Sequence, residues 1–160
     1  MSLGLYLHIP YCFSKCRYCD FYSHPGERGV PDAYVEALLR ELSRFAPEAP
    51  LQPDTLYFGG GTPSLLRPEQ AKRLIDAARP MPGAEITLEA NPETVTEESL
   101  AGFREAGVNR ISFGVQSARD TQLRTLGRPH TAKQARAAFA AAQRAGFTNI
   151  SGDIMLALPR

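Results

Sequence analysis

Strand-like and helix-like segments alternate along this chain from one end to the other, and that alternation restricts its fold more than any other feature. Short stretches rich in β-branched and aromatic residues stand at "GLYLHI" (4–9), "DTLYF" (54–58), "EITLEA" (85–90), "RISFGV" (110–115) and "NISGDIMLAL" (149–158). Segments of helical period lie between them. The first is predicted over about residues 32–46, where Tyr34, Val35, Leu38, Leu39 and Leu42 share one face. A second runs near "PEQAKRLIDAAR", with Pro68 suited to a first helical turn. Thr94 with Glu97 reads as a capping box for a third helix that stops near Gly107. A short helical piece is expected at about 119–126. A longer, alanine-rich helix begins at Thr131, where Gln134 completes another capping pattern, and its small residues suit packing on the outside of a sheet.

Strands that alternate with helices pair in parallel through crossover connections, as a β/α barrel or as an open doubly wound sheet. A closed eight-unit barrel takes about 250 residues. The 160 residues here hold about five units. The expectation is therefore an α/β fold, a partial (β/α) barrel of parallel strands. Residues 1–160 would be its N-terminal part, and the rest of the barrel and a C-terminal domain would lie outside them.

Charge names no partner. Eighteen basic and seventeen acidic residues leave a formal charge of +1 without a like-charge block, so no nucleic-acid footprint is expected. No run of eighteen apolar residues offers a transmembrane span, so contact with a membrane would be peripheral. The N-terminus lacks a basic leader, and a reducing cytoplasm is the expected location.

All three cysteines fall within eight residues, at Cys12, Cys16 and Cys19 in "HIPYCFSKCRYCDF". An odd number at such spacings suits one shared centre better than a disulfide framework. Zinc is one reading, with His24 or His8 as the fourth ligand of a closed tetrahedral site. The other is a 4Fe-4S cluster on three thiolates, which leaves one iron open to a small molecule. A second motif, "FGGGTPS" (58–64), follows the second strand directly. Its glycines permit close backbone approach, but the lysine of an ATP-binding loop is missing. Further polar residues stand at the ends of later strands: Glu89 and Asn91, Gln116, and Asp153. In a β/α barrel these ends share one rim, where they meet the cysteine loop and the glycines.

The C-x3-C-x2-C spacing with Tyr18 before the last cysteine resembles the signature of the radical S-adenosylmethionine (SAM) family. The longer string "YLHIPYCFSKCRYCDF" resembles the branch containing oxygen-independent coproporphyrinogen III oxidase and a related heme chaperone. The resemblance implies a radical SAM barrel, a 4Fe-4S cluster on Cys12, Cys16 and Cys19, and S-adenosylmethionine as cofactor. It assigns Gly60, Gly61 and Thr62 to the cofactor's amino group, and Glu89 and Asp153 to its ribose and neighbouring polar edge. Gln116 becomes a further ribose or backbone contact, and Arg128 the clamp on the carboxylate, against the alternative of a surface charge. Tyr6 matches a tyrosine near the cofactor, and Tyr18 the residue whose backbone lies near the adenine. His130 reads as structural.

In that family one electron from the reduced cluster cleaves S-adenosylmethionine to methionine and a 5'-deoxyadenosyl radical. The implied partners are S-adenosylmethionine, heme or a porphyrinogen, and an electron donor protein. Phe21 stands where the oxidase would carry a further cysteine, which favours the heme chaperone over porphyrinogen oxidation, and "LALPR" stands where the family usually reads "GLPGQT". An open barrel edge exposes unpaired backbone and apolar surface. The 160-residue chain expressed alone is therefore expected to associate or to be poorly soluble. Size-exclusion chromatography with light scattering checks this, and a monodisperse, stable monomer contradicts it.

Overall fold

A computed structural model of the chain describes residues 3–45 and 51–158. Five strands form one sheet: β1 (Gly4–Ile9), β2 (Thr55–Gly60), β3 (Glu85–Ala90), β4 (Arg110–Gln116) and β5 (Asn149–Ile154). They lie side by side in chain order, and each neighbouring pair is parallel. Helices α1 (Asp32–Phe45), α2 (Pro68–Ala78) and α3 (Glu97–Ala106) fill the first three crossovers. The last holds α4 (Asp120–Leu126) and α5 (Ala132–Arg144). Helix α1 packs on α2, α2 on α3 and α3 on α5. Strands in unbroken order under one continuous layer of helices are wound in a single sense. A doubly wound sheet reverses its strand order and carries helices on both faces, so the arrangement is that of a barrel wall.

Residue alternation explains the two faces. Leu7, Ile9, Leu56, Phe58, Leu88, Ile111 and Phe113 point to the helices and form the core with Val35, Leu74, Leu100 and Phe103. The residues between them are polar: Tyr6, His8, Tyr57, Thr87, Glu89, Arg110, Ser112, Ser151 and Asp153. A parallel sheet covered on both faces reads as an apolar run. The period of two here marks an inner face built to carry polar groups. Arg110 donates to Thr87 Oγ1 at 3.2 Å and to Ser151 Oγ at 2.9 Å, and Ser151 donates to Ser112 Oγ at 2.9 Å.

Most predicted elements recur with small changes of boundary. Pro68 opens α2, and Thr131 caps α5 as expected, with the Gln134 amide donating to Thr131 Oγ1 at 3.2 Å. The cap of α3 differs. Thr94 ends a 3-10 turn (Pro92–Thr94), where its hydroxyl donates to Asn91 O at 2.9 Å. Thr96 takes the capping role instead, closed reciprocally by Ser99, while Glu97 pairs with Arg144 at 2.8 Å. The fifth strand stops at Ile154, four residues before the predicted end, and Ala157 has a positive φ of 54°. The predicted end of α1 at residue 46 lies outside the described residues. No helix among the described residues is long and apolar enough to cross a membrane.

Two substitutions separate core packing from local capping. Phe113 is fully buried against Phe139, with ring centroids 5.0 Å apart, so Phe113→Ala is expected to cost about 3–5 kcal/mol in urea denaturation. Thr131→Ala is expected to cost about 1 kcal/mol. Equal losses would contradict this division.

Candidate functional site

The cysteine loop leaves β1 after Ile9 and is pinched at its base. Tyr11–Cys12 pairs with His24–Pro25 as a short parallel bridge, and the Glu27 amide donates to Cys12 O at 3.0 Å. Lys15 Nζ crosses the loop to Phe21 O at 2.6 Å and Ser23 Oγ at 3.2 Å. The Cys19 amide donates to Cys16 O at 3.1 Å, and the Arg17 amide reaches Leu126 O at the end of α4 at 3.0 Å. The loop is therefore anchored both at β1 and at a segment more than a hundred residues downstream.

The glycine segment fixes the loop from the other side. Gly61 and Thr62 amides donate to Ile9 O and Tyr11 O, each at 2.8 Å. A side chain at Gly61 would meet those same backbone atoms at 2.8 to 2.9 Å, so only glycine permits the approach. At Gly60, φ is 112° and a Cβ would strike the His8 ring at 2.5 Å. Glu89, beside it in the cleft, accepts from Tyr57 OH at 2.7 Å.

One cleft gathers the three cysteines with Tyr18, Gly60, Gly61, Thr62, Glu89, Gln116, Arg128 and Asp153. These positions reach across the sequence from 12 to 153, brought together because parallel strands end on one rim. Tyr6 is not part of this lining. It stands on the inner face, exposed, stacked on Tyr57 with centroids 6.0 Å apart. Gln116 sits at a bulge in the β4–β5 pairing with a positive φ of 63°. A bulge of this kind re-aims the strand's last side chain.

Arg128 is buried, with 9% of its surface exposed, so the reading as a surface charge is overturned. Its Nη2 donates to Asn91 Oδ1 and to Gly114 O, both at 2.6 Å, and its Nη1 to Cys16 Sγ at 3.4 Å. Its Nε is buried without a hydrogen-bond partner among the described residues. Asn91 continues the line to Thr62 Oγ1 at 3.1 Å, and Thr62 Oγ1 to Cys12 Sγ at 3.5 Å. His130 is structural as expected, bridging Glu93 Oε2 and Val115 O, each at 3.1 Å. The strand-end reading noticed Asn91 but gave it no task. Its position just before Pro92 at the end of β3 was the available signal, whereas the Lys15 crossbrace left none.

Neither histidine completes a closed zinc site. His8 is held by Tyr6 OH at 3.3 Å and Tyr22 O at 3.0 Å, and His24 is exposed. Among the described residues no group of three or more His, Cys, Asp or Glu is compact enough to hold one metal ion. A cluster takes one thiolate per iron, so its ligands stand further apart than those of a single tetrahedral ion. Three thiols on one cleft, an unpartnered guanidinium nitrogen and glycines that clear the wall fit a cluster with a polar ligand beside it.

The comparisons with known proteins agree. The family model described as "Radical SAM superfamily" matches residues 6–160.

The chain belongs to the radical SAM superfamily.

Within this family it is 44% identical to Heme chaperone HemW of Escherichia coli (strain K12), over 98% of this chain and 43% of the relative. It is 41% identical to Heme chaperone HemW of Bacillus subtilis (strain 168), over 96% of this chain and 42% of the relative. The chain thus spans less than half the length of these curated relatives. Among solved structures, coproporphyrinogen III oxidase (HemN) from Escherichia coli superposes with a TM-score of 0.87 at 31% identity, covering 99% of this chain and 38% of that one. HydG, a maturase of the [FeFe]-hydrogenase, superposes with a TM-score of 0.67 at 15% identity, covering 97% of this chain and 35% of that one, and shares the fold. A radical SAM domain implies a 4Fe-4S cluster and S-adenosylmethionine, and the cleft described above suits both.

Burial raises the pKa of Glu89 above its ordinary value, against the lowering effect of its Tyr57 hydrogen bond. Burial likewise pushes Tyr18 up to about 12. A raised carboxyl contributes stability that is present below the ordinary carboxylate range and is lost as pH rises through the raised value. Urea denaturation across pH is therefore expected to show the parent losing stability relative to Glu89→Gln as pH rises. A parent that gains on the variant over that interval would show a favoured carboxylate instead.

Proposed function

We propose that this chain forms the cofactor end of a heme-handling radical SAM protein, with residues 1–160 as the N-terminal part of its barrel. Cys12, Cys16 and Cys19 would each ligate one iron of the cluster, and the fourth iron would receive S-adenosylmethionine through its amino and carboxylate groups. When bound, the cluster supplies the electron that cleaves the cofactor's sulfonium bond. The protein's part is placement and exclusion of water.

The assignments follow the chemistry of the cleft. The amides of Gly61 and Thr62 already bond Ile9 and Tyr11, so the glycine segment would receive the amino group's hydrogens on carbonyl oxygens. Arg128 would meet the carboxylate with its guanidinium, which lines the cleft beside Cys16. Glu89 and Asp153 would accept from the ribose hydroxyls, with Gln116 beside them, and Tyr18 would border the adenine. Tyr6, on the inner face, would reach the cofactor only from the side of Tyr57. An electron donor protein and a cytoplasmic setting complete the reading.

The observation that carries heme delivery over porphyrinogen oxidation is the identity gap. The chain is 44% and 41% identical to relatives named heme chaperones, and 31% identical to the oxidase. Phe21 in place of a further cysteine points the same way. Oxidation remains the second reading because the oxidase superposes with a TM-score of 0.87.

Anaerobic reconstitution with iron and sulfide is expected to give a brown protein with about four irons per chain, lost in Cys16→Ala. Heme titration should then produce a saturable Soret shift, without 5'-deoxyadenosine formation that depends on coproporphyrinogen. A colourless product refutes the cluster, and coproporphyrinogen-dependent turnover refutes the chaperone reading.

A further inference from the structure

Asn91 joins the environments of two cluster cysteines that the sequence separates. Its Nδ2 donates to Thr62 Oγ1 at 3.1 Å, and its Oδ1 accepts from Arg128 Nη2 at 2.6 Å. Both ends fix the amide's orientation, because a flipped Asn91 would set its NH2 against the guanidinium and leave Thr62 facing an acceptor. With one lone pair of Thr62 occupied by Asn91, the Thr62 proton is aimed at Cys12 Sγ, 3.5 Å away. On the other arm Arg128, held by Asn91 and by Gly114 O, directs Nη1 to Cys16 Sγ at 3.4 Å. The line Cys12–Thr62–Asn91–Arg128–Cys16 thus carries a donor to a sulfur at each end. Among the described residues, no side-chain donor of this kind reaches Cys19.

We infer that Asn91 is a positioning residue that sets the reduction potential of the cluster by holding both sulfur-directed donors at once. The inference rests on the three-cysteine cluster proposed above. Hydrogen bonds to ligand sulfur stabilise the reduced, more negative cluster and raise its potential, and the residues that orient those donors share in the effect. Asn91 touches neither sulfur; it acts through Thr62 and Arg128. Because the two arms meet at one amide, their effects are coupled, where independent neighbours would simply add.

The test is spectroelectrochemical titration of the reconstituted protein without S-adenosylmethionine, following the visible absorption of the cluster. Asn91→Ala is expected to move the midpoint to more negative potential. Thr62→Val, which removes the Cys12 arm and leaves Asn91 held by Arg128, should give a smaller shift of the same sign. Combined with Asn91→Ala, Thr62→Val should add little, since its hydroxyl has already lost its orientation. Asn109 provides the control, as it also bridges β3 and its neighbours through Ile86 N and Ala84 O, both at 2.8 Å, at the opposite end of the strands. Asn109→Ala should lower the denaturation midpoint and leave the potential unchanged. If Asn91→Ala does not fold, Asn91→Ser severs the same bonds in a polar side chain and carries the same expectation. An unchanged potential in the Asn91 variants, or shifts that add in full, would overturn the inference. A parent protein that takes up no cluster would instead overturn the reading beneath it.

Discussion

Parallel pairing of five strands in unbroken chain order is the constraint on which the cleft depends. Because every strand runs the same way, each C-terminal end arrives at one rim, and residues as distant as Cys12 and Asp153 line a single space. The rim alone would not position a loop of eight residues bearing three thiols. That loop is fixed by backbone bonds across its own base, to the glycine segment and to the end of α4. The absence of side chains at Gly60 and Gly61 is part of the same device, since a Cβ at either would collide with His8 or with the root of the loop.

The inner face follows from the same geometry. Its alternation places Glu89, Ser112 and Ser151 in one register across three strands, with Tyr57 reaching Glu89 from a fourth. A polar group buried without a partner costs about 1–3 kcal/mol, and here the hydroxyls around Arg110 and the Tyr57 hydroxyl on Glu89 supply partners. Arg128 departs from that rule at one atom. A buried guanidinium nitrogen without a partner among the described residues is a destabilising feature, and the guanidinium that carries it lines the cleft.

Much of this was legible in the sequence, for physical reasons. Strand and helix periods differ, so the alternation of elements could be read directly, and the cysteine spacing together with "GGGTP" pointed to the radical SAM family that the comparisons establish. The choice between barrel wall and doubly wound sheet needed the strand order and the single helix layer, which are tertiary facts. The α3 cap was misplaced because Thr94 and Thr96 offer the same hydroxyl to the backbone. Only the 3-10 turn at Pro92–Thr94, which occupies Thr94, decides between them. Arg128 was expected at the cleft, which it lines, but its bond to Cys16 spans 112 positions and no local pattern encodes it. Tyr6 stands on the inner face beside Tyr57, a side that strand parity sets.

The central claim is that three thiolates hold a cluster whose remaining iron is open to an exchangeable ligand. Mössbauer spectroscopy of the 57Fe-reconstituted protein, with and without S-adenosylmethionine, tests it most directly. The account predicts that one iron site of the 4Fe-4S cluster changes its isomer shift when the cofactor is added while the others stay as they were. Spectra that are identical in the two states would contradict it.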